Sequence, residues 1–216
     1  MTTDLAKIAL RRSDAYRLLA ACFYEPDREM FSEENLCLNL AELMTEISLP
    51  VAEACRRMDA SLKENSQEAL LVDYAALFLG PFKAQAQPYG SVYLEQERRL
   101  MGDSTMDVQK VYAEAGVKQE TDDTPPDHIA IELEFMSFLE GRIIQAISEG
   151  NQADQADYTA IQARFFKHLL ASWAPALGKA LVDYADLEFY RSLGQCLIDF
   201  IAAEQQRLAT KAPANP

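Results

Sequence analysis

From about residue 125 to 149, Ile129, Leu133, Met136, Leu139, Ile143 and Ile147 recur at the 3.6-residue period of one helix face. A helix of roughly seven turns with one apolar stripe must bury that stripe, and its natural partners are other helices. The remaining sequence supplies them. Leu5, Ile8, Leu19, Cys22 and Phe23 repeat helically over 5–23 until Tyr24-Glu25-Pro26 interrupts the pattern. A second helix is predicted over about 32–48, with Leu36, Leu40, Leu43, Met44 and Ile47 inward, ending before Pro50. A shorter helix follows, then 67–79 with Leu70, Tyr74, Leu77 and Phe78 on one face, stopped by Gly80-Pro81. Later helices are predicted over about 152–171, 175–184 and 187–209, the last with Leu193, Leu197, Ile198 and Ile201 inward. Only 8 of 216 residues are glycine, a low share for a turn-rich β fold, and no convincing strand alternation occurs. The expected fold is all-α, a single globular helical bundle of about nine helices. One domain spans 1–209, and 210–216 is a polar tail.

Two stretches carry cap signals. Ser104-Thr105-Met106-Asp107 has the form of a capping box, opening a helix with Val108, Val111 and Tyr112 that stops at Gly116. After an acidic linker over 118–124, Thr124-Pro125-Pro126-Asp127 reads as a second, with Thr124 at the cap, proline at the first helical position and Asp127 as the acidic partner. The conspicuous irregular stretch runs from Gly80 to Ser91, and Pro88-Tyr89-Gly90 within it suits a turn that holds Tyr89 outward.

Charge narrows the partners. A net charge of -14 and a pI near 4.6 oppose association with nucleic acid or anionic membranes and favour encounter with basic peptides, although acidity also serves solubility. The four cysteines, Cys22, Cys37, Cys55 and Cys196, have no CxxC spacing and lie among apolar residues, so neither disulfides nor zinc are expected. That pattern suits a reducing compartment. Arg11-Arg12 resembles an export signal only superficially, because Asp14 and Arg17 interrupt what should be an apolar run, and no stretch of about 18 apolar residues follows. A cytoplasmic location is expected.

Of the two histidines, His128 falls beside the stripe of the 125–149 helix together with Glu132, at about 100° per residue, and Glu140 falls near it too, so part of this face meets solvent. Buried charge is costly unless paired, which makes Asp127, His128 and Glu132 a candidate polar site. The bland alternative has Asp127 as a helix cap and Glu132 holding His128 as a core pair. A metal site is disfavoured because His168 lies far along the chain, and no phosphate-binding glycine motif or cofactor signature occurs. Tyr74, Phe78, Phe82, Tyr89 and Tyr93 are candidate apolar anchors, the first two and Trp173 reading more readily as core.

Three stretches, YAALFLGP from Tyr74, PYGSVYLEQERRLMGDST from Pro88 and PPDHIAIELEFMSFL from Pro126 to Leu139, occur in the order and spacing of a known family. On them the chain resembles the TorD/DmsD family of molybdoenzyme maturation chaperones. The resemblance implies a non-catalytic cytoplasmic chaperone without cofactor that binds a molybdoenzyme catalytic subunit, its twin-arginine leader peptide, or both, as a monomer or a helix-exchanged dimer. It holds back export until the enzyme's cofactor is inserted. It also implies a client site at Leu77, Phe78, Gly80, Pro81, Pro88, Tyr89, Gly90, Ser91, Pro126, Asp127 and His128, to which the helical wheel adds Glu132. Many members carry Glu-Pro-x-Asp-His, and Thr124 stands here at the glutamate position, so one negative charge is lost. Two other classes fit the residues alone: a helical adaptor for an unrelated partner, and a metal-assisted hydrolase using His128 and Glu132.

Overall fold

The computed structural model describes residues 2–79, 84–96, 100–118 and 124–211. Its order is α1 (Thr2–Ala21), α2 (Arg28–Glu33), α3 (Leu36–Thr45), α4 (Leu49–Glu64), α5 (Gln67–Tyr74), α6 (Gly90–Leu94), α7 (Asp103–Glu114), α8 (Ile129–Glu149), α9 (Gln152–Phe165), α10 (Ala171–Tyr184) and α11 (Glu188–Lys211). Among the described residues the one β feature is an isolated antiparallel bridge between Tyr89 and His128. The all-α expectation holds. The boundaries differ at several places, each for a local reason.

The helix expected over 32–48 is two. Asn35 adopts a left-handed conformation, φ 49°, which asparagine tolerates better than most residues, and it separates α2 from α3. The break expected before Pro175 does not occur: the backbone stays helical from Gln152 to Tyr184, passing through a π-helical turn at Phe166–Leu170. A wider turn just before proline relieves the clash and missing donor that would otherwise end a helix. Likewise α7 is capped at Gly102, not Ser104, whose N–H donates to Glu95 Oε1 at 2.7 Å. Ile8, one of the apolar residues at helical spacing in α1, is half exposed.

The core forms where α1 packs on α8, and where α11 packs on α4 and α10. Ser13 and Ser137 make reciprocal hydroxyl-to-carbonyl hydrogen bonds of 3.1 and 2.8 Å where α1 crosses α8. Buried Phe23, Phe78, Tyr74 and Tyr190 meet in aromatic contacts that tie α1, α5 and its continuation to α11. All four cysteines are free buried thiols, and Cys55 Sγ lies 3.6 Å from Cys196 Sγ. Glu140 does not face solvent; it is 2% exposed and accepts from Arg207 at 3.0 Å. That bond belongs to a network in which buried Glu204 also accepts from Arg12, Arg207 and the Tyr16 hydroxyl.

The α10–α11 crossing is close enough to require glycine on both sides. A Cβ on Gly194 would lie 2.5 Å from the Gly178 carbonyl oxygen, and one on Gly178 would lie 2.8 Å from the Gly194 carbonyl oxygen. Backbone cannot yield as a side chain can. Gly194→Ala is therefore expected to destabilise the fold by about 2 kcal/mol despite alanine's better helix propensity. Urea denaturation measures this, and a neutral or stabilising effect would show that the crossing can relax.

Candidate functional site

The site is built where two irregular segments pair. Tyr89 is extended, not in the turn expected from Pro88-Tyr89-Gly90, and bridges antiparallel to His128 just before α6 begins at Gly90. Ile129 N–H donates to the Pro88 carbonyl, and Gly90 N–H to the Asp127 carbonyl, each at 2.8 Å. The Asp127 carboxylate continues the pairing through Oδ2, which accepts from Ser91 N–H at 2.7 Å in the first turn of α6. Ser91 Oγ in turn accepts from Met101 N–H at 3.2 Å, holding an exposed methionine at φ 60°. Tyr112, on α7, donates its hydroxyl to the Pro126 carbonyl at 3.0 Å. Three separate stretches of chain are thus tied at one point.

This arrangement moves the helix cap. Thr124 is not the N-cap of α8; the cap is His128, whose Nδ1 accepts from Ala130 N–H at 3.2 Å. Asp127 is engaged by α6, 36 residues away in sequence, and so serves as no capping-box partner. An Nδ1 that accepts a backbone hydrogen bond carries no proton, which fixes the ring as the neutral Nε2–H tautomer. Burial acts the same way: it lowers the His128 pKa from 6.5 to about 4, and the Asp127 charge only partly offsets it. The ring lies parallel to Tyr24, with centroids 6.0 Å apart, and edge-on to Tyr89 at 5.3 Å. Tyr89 is half-buried by this contact, where an outward side chain was expected.

His128 and Glu132 are not a pair. Glu132 is 1% exposed, and its Oε2 accepts from the Trp173 indole N–H at 3.2 Å. Burial first, and the Asp127 charge second, raise its pKa well above the usual carboxylate range, against the Trp173 hydrogen bond. Burial thus favours the neutral acid form of Glu132 over its carboxylate. Tyr93 stacks on Trp173 with centroids 5.6 Å apart. Gly90 passes close by, since a Cβ there would lie 2.9 Å from Trp173 Nε1. The second oxygen of Asp127, Oδ1, is buried without a hydrogen-bond partner.

Leu77 and Phe78 lie on a π-helical turn, Ala75–Leu79, that extends α5. Such turns release backbone carbonyls from the helical ladder. Those of Ala76 and Leu77 accept from Gln85 and Ala86 N–H, drawing the following segment back against the turn. Phe78 is a core residue, 4% exposed, and so is Tyr74, whose pKa burial raises to about 12 with help from nearby Glu25 and Tyr89. Gly80, Pro81 and Phe82 lie outside the described residues. The structure thus brings Pro88, Tyr89, Gly90, Ser91, Pro126, Asp127, His128 and Glu132 together, while Leu77 and Phe78 are core residues of the π turn. Most of these are buried and form a scaffold.

The solvent-facing part was missed in the sequence. Tyr24, 39% exposed, covers His128, and its hydroxyl donates to exposed Glu134 Oε1 at 2.9 Å. Tyr24 reads locally only as the end of α1, although an aromatic exposed at a helix stop is itself a signal. Among the described residues, no group of three or more His, Cys, Asp or Glu is arranged to hold a metal ion, and His168 is exposed in the distant π turn.

The chain is similar to proteins already characterised. The family model described as "Nitrate reductase delta subunit" matches residues 44–178. Chaperone protein TorD of Aliivibrio salmonicida is 26% identical over 208 residues, 92% of this chain and 95% of that protein. TorD of Photobacterium profundum is 33% identical over 72% of this chain and 71% of its own. The Tat proofreading chaperone DmsD of Salmonella typhi is 28% identical over 76% and 74%. In fold, the chain matches a crystal structure described as that of a redox enzyme maturation protein from Archaeoglobus fulgidus, with TM-score 0.54 at 20% identity over 88% of this chain and 93% of that one. The relatives define the class as a maturation chaperone, not an enzyme, on an all-helical fold. Within that class, the chain belongs to the TorD/DmsD family.

Proposed function

We propose that this protein is a cytoplasmic chaperone that binds a molybdoenzyme precursor through its twin-arginine leader, shielding the leader until the cofactor is in place. A single domain over 1–209 does the binding; α11 continues to Lys211, and the rest of the expected tail, 212–216, lies outside the described residues. The observation that carries the reading is the concentration of buried polar groups at one joint: Asp127, His128 and Glu132 are all less than 7% exposed. A bundle that needed only stability would fill that position with apolar side chains, because buried ionisable groups are costly. Here they fix the 88–91 and 126–129 segments to each other and raise an aromatic surface, Tyr24 and Tyr89, beside Glu25 and Glu134. A leader is basic and then apolar. Exposed carboxylates engage arginine by bidentate hydrogen bonds and tyrosine faces engage its plane, while the -14 charge steers the encounter.

The roles separate experimentally. Tyr89→Ala removes contact surface and is expected to weaken binding of a twin-arginine leader peptide at least tenfold, with a small change in melting temperature. Asp127→Asn keeps an acceptor for Ser91 N–H and removes the charge. Its stability cost should be about 1 kcal/mol, the difference between a charged and a neutral acceptor for Ser91 N–H, while binding should fall by about 2 kcal/mol or more if that charge helps to hold arginine. Fluorescence titration and thermal melts read both. Wild-type affinity in both variants would move the client site elsewhere on the molecule.

A further inference from the structure

Directly beside Tyr24 and Glu134, the facing sides of α7 and α8 leave a cleft of about 220 Å³ lined by Tyr112, Val117, Ile131, Phe135 and Phe138, with Glu134 as its charged member. Its walls are held in place by the same joint. Tyr112 reaches from the cleft to the Pro126 carbonyl, and Glu134 reaches from it to Tyr24, which lies on His128. Tyr112, Phe135 and Phe165 pack together beneath, so the wall is firm, whereas Phe138 is 36% exposed at the mouth. About 150 Å³ is enough for a benzene ring, so the cleft admits one bulky apolar side chain.

We propose that this cleft seats an apolar side chain of the client leader, from the segment that follows its arginine pair. This rests on the reading of the protein as a leader-binding chaperone and gives that reading a direction. The occupant follows from charge complementarity. Glu134 is the carboxylate of a cleft that is otherwise apolar or aromatic, and it stands on the side of Tyr24 and His128. A ligand satisfying both needs a cation next to an apolar side chain. The arginines then lie over Tyr24 and Glu134, and the apolar segment runs away along the groove between α7 and α8. Helix-in-groove recognition of this kind relies on a few anchors of stated spacing.

The test uses two synthetic peptides, each with an Arg-Arg pair, one followed by about 12 apolar residues and one with serine in their place. Wild type should bind the apolar peptide at least tenfold more tightly. Phe138→Asp should lose that preference while still binding the serine peptide as wild type does, and its thermal melt reports that it is folded. Phe138→Ala, a milder change at the same mouth, should lose threefold or more of the preference and serves if the aspartate variant does not fold. Full preference in a folded Phe138 variant overturns the cleft but leaves leader binding standing. Equal binding of both peptides by wild type also overturns it, and failure to bind either one overturns the leader reading with it.

Discussion

Replacing Glu204 by glutamine is expected to lower stability by about 3 kcal/mol, the cost of leaving buried cations with too little negative charge. Glu204 is fully buried and accepts from the guanidinium groups of Arg12 and Arg207 and from the Tyr16 hydroxyl. Arg207 also bonds Glu140, so two carboxylates face two arginines where α1, α8 and α11 meet. Burial already lowers the Arg12 pKa, with Arg207 adding to it. Removing one negative charge leaves Glu140 alone to oppose that repulsion midway along α1. The melting temperature should fall by roughly 10 °C for a chain of this size. The consequence reaches the site, because α1 delivers Tyr24 to His128. Hydrogen exchange in α1 should accelerate more than in α4, and Arg12→Gln combined with Glu204→Gln should cost less than the sum of the two. A loss under about 1 kcal/mol would mean that water or rearrangement solvates the pair.

The second large effect is acid sensitivity. With His128 near 4 when folded and 6.5 when unfolded, the unfolded chain takes up a proton between those values that the folded chain refuses. Stability from this group is complete above about pH 6.5 and is lost as pH falls toward 4, by on the order of 3 kcal/mol. His128→Asn removes the titration and retains a side chain suited to an N-cap. The variant should be less stable than wild type at pH 7, where it lacks the ring between Tyr24 and Tyr89, and the gap should close by about 3 kcal/mol at pH 4. Glu132 acts in the opposite sense, since an acid with a raised pKa contributes less stability as pH rises, but it is present in both proteins and cancels in their difference. A gap that does not change with pH would contradict a buried, neutral His128.

How far the sequence could be read follows from the range of the interactions involved. Periodicity is local, so α8 was legible from Ile129, Leu133, Met136, Leu139 and Ile143, all buried as expected. Asn35 and Pro175 were harder, because one residue's conformation and one π turn depend on what the flanking helices pack against. The site was legible as a cluster but not as a mechanism of assembly. Asp127, next to two prolines and before a helix, carries every local sign of a cap; its actual partner, the Ser91 N–H, becomes available only when α6 is placed by Trp173 and Gly90. The same holds for Glu132, whose neighbour His128 lies one turn away but whose hydrogen bond goes to Trp173. Arg12, read as half of an unproductive arginine pair, gained its meaning from Glu204, 192 residues on.

The central claim is that this acidic bundle binds a basic-then-apolar leader, and calorimetric titration of the protein with a twin-arginine leader peptide at low and at physiological salt tests it most directly. An acidic site meeting arginines should bind the peptide at both salts and more weakly at the higher one, because screening reduces the attraction while the apolar contact remains. Absence of heat and of competition at low salt, where attraction is greatest, would contradict the account.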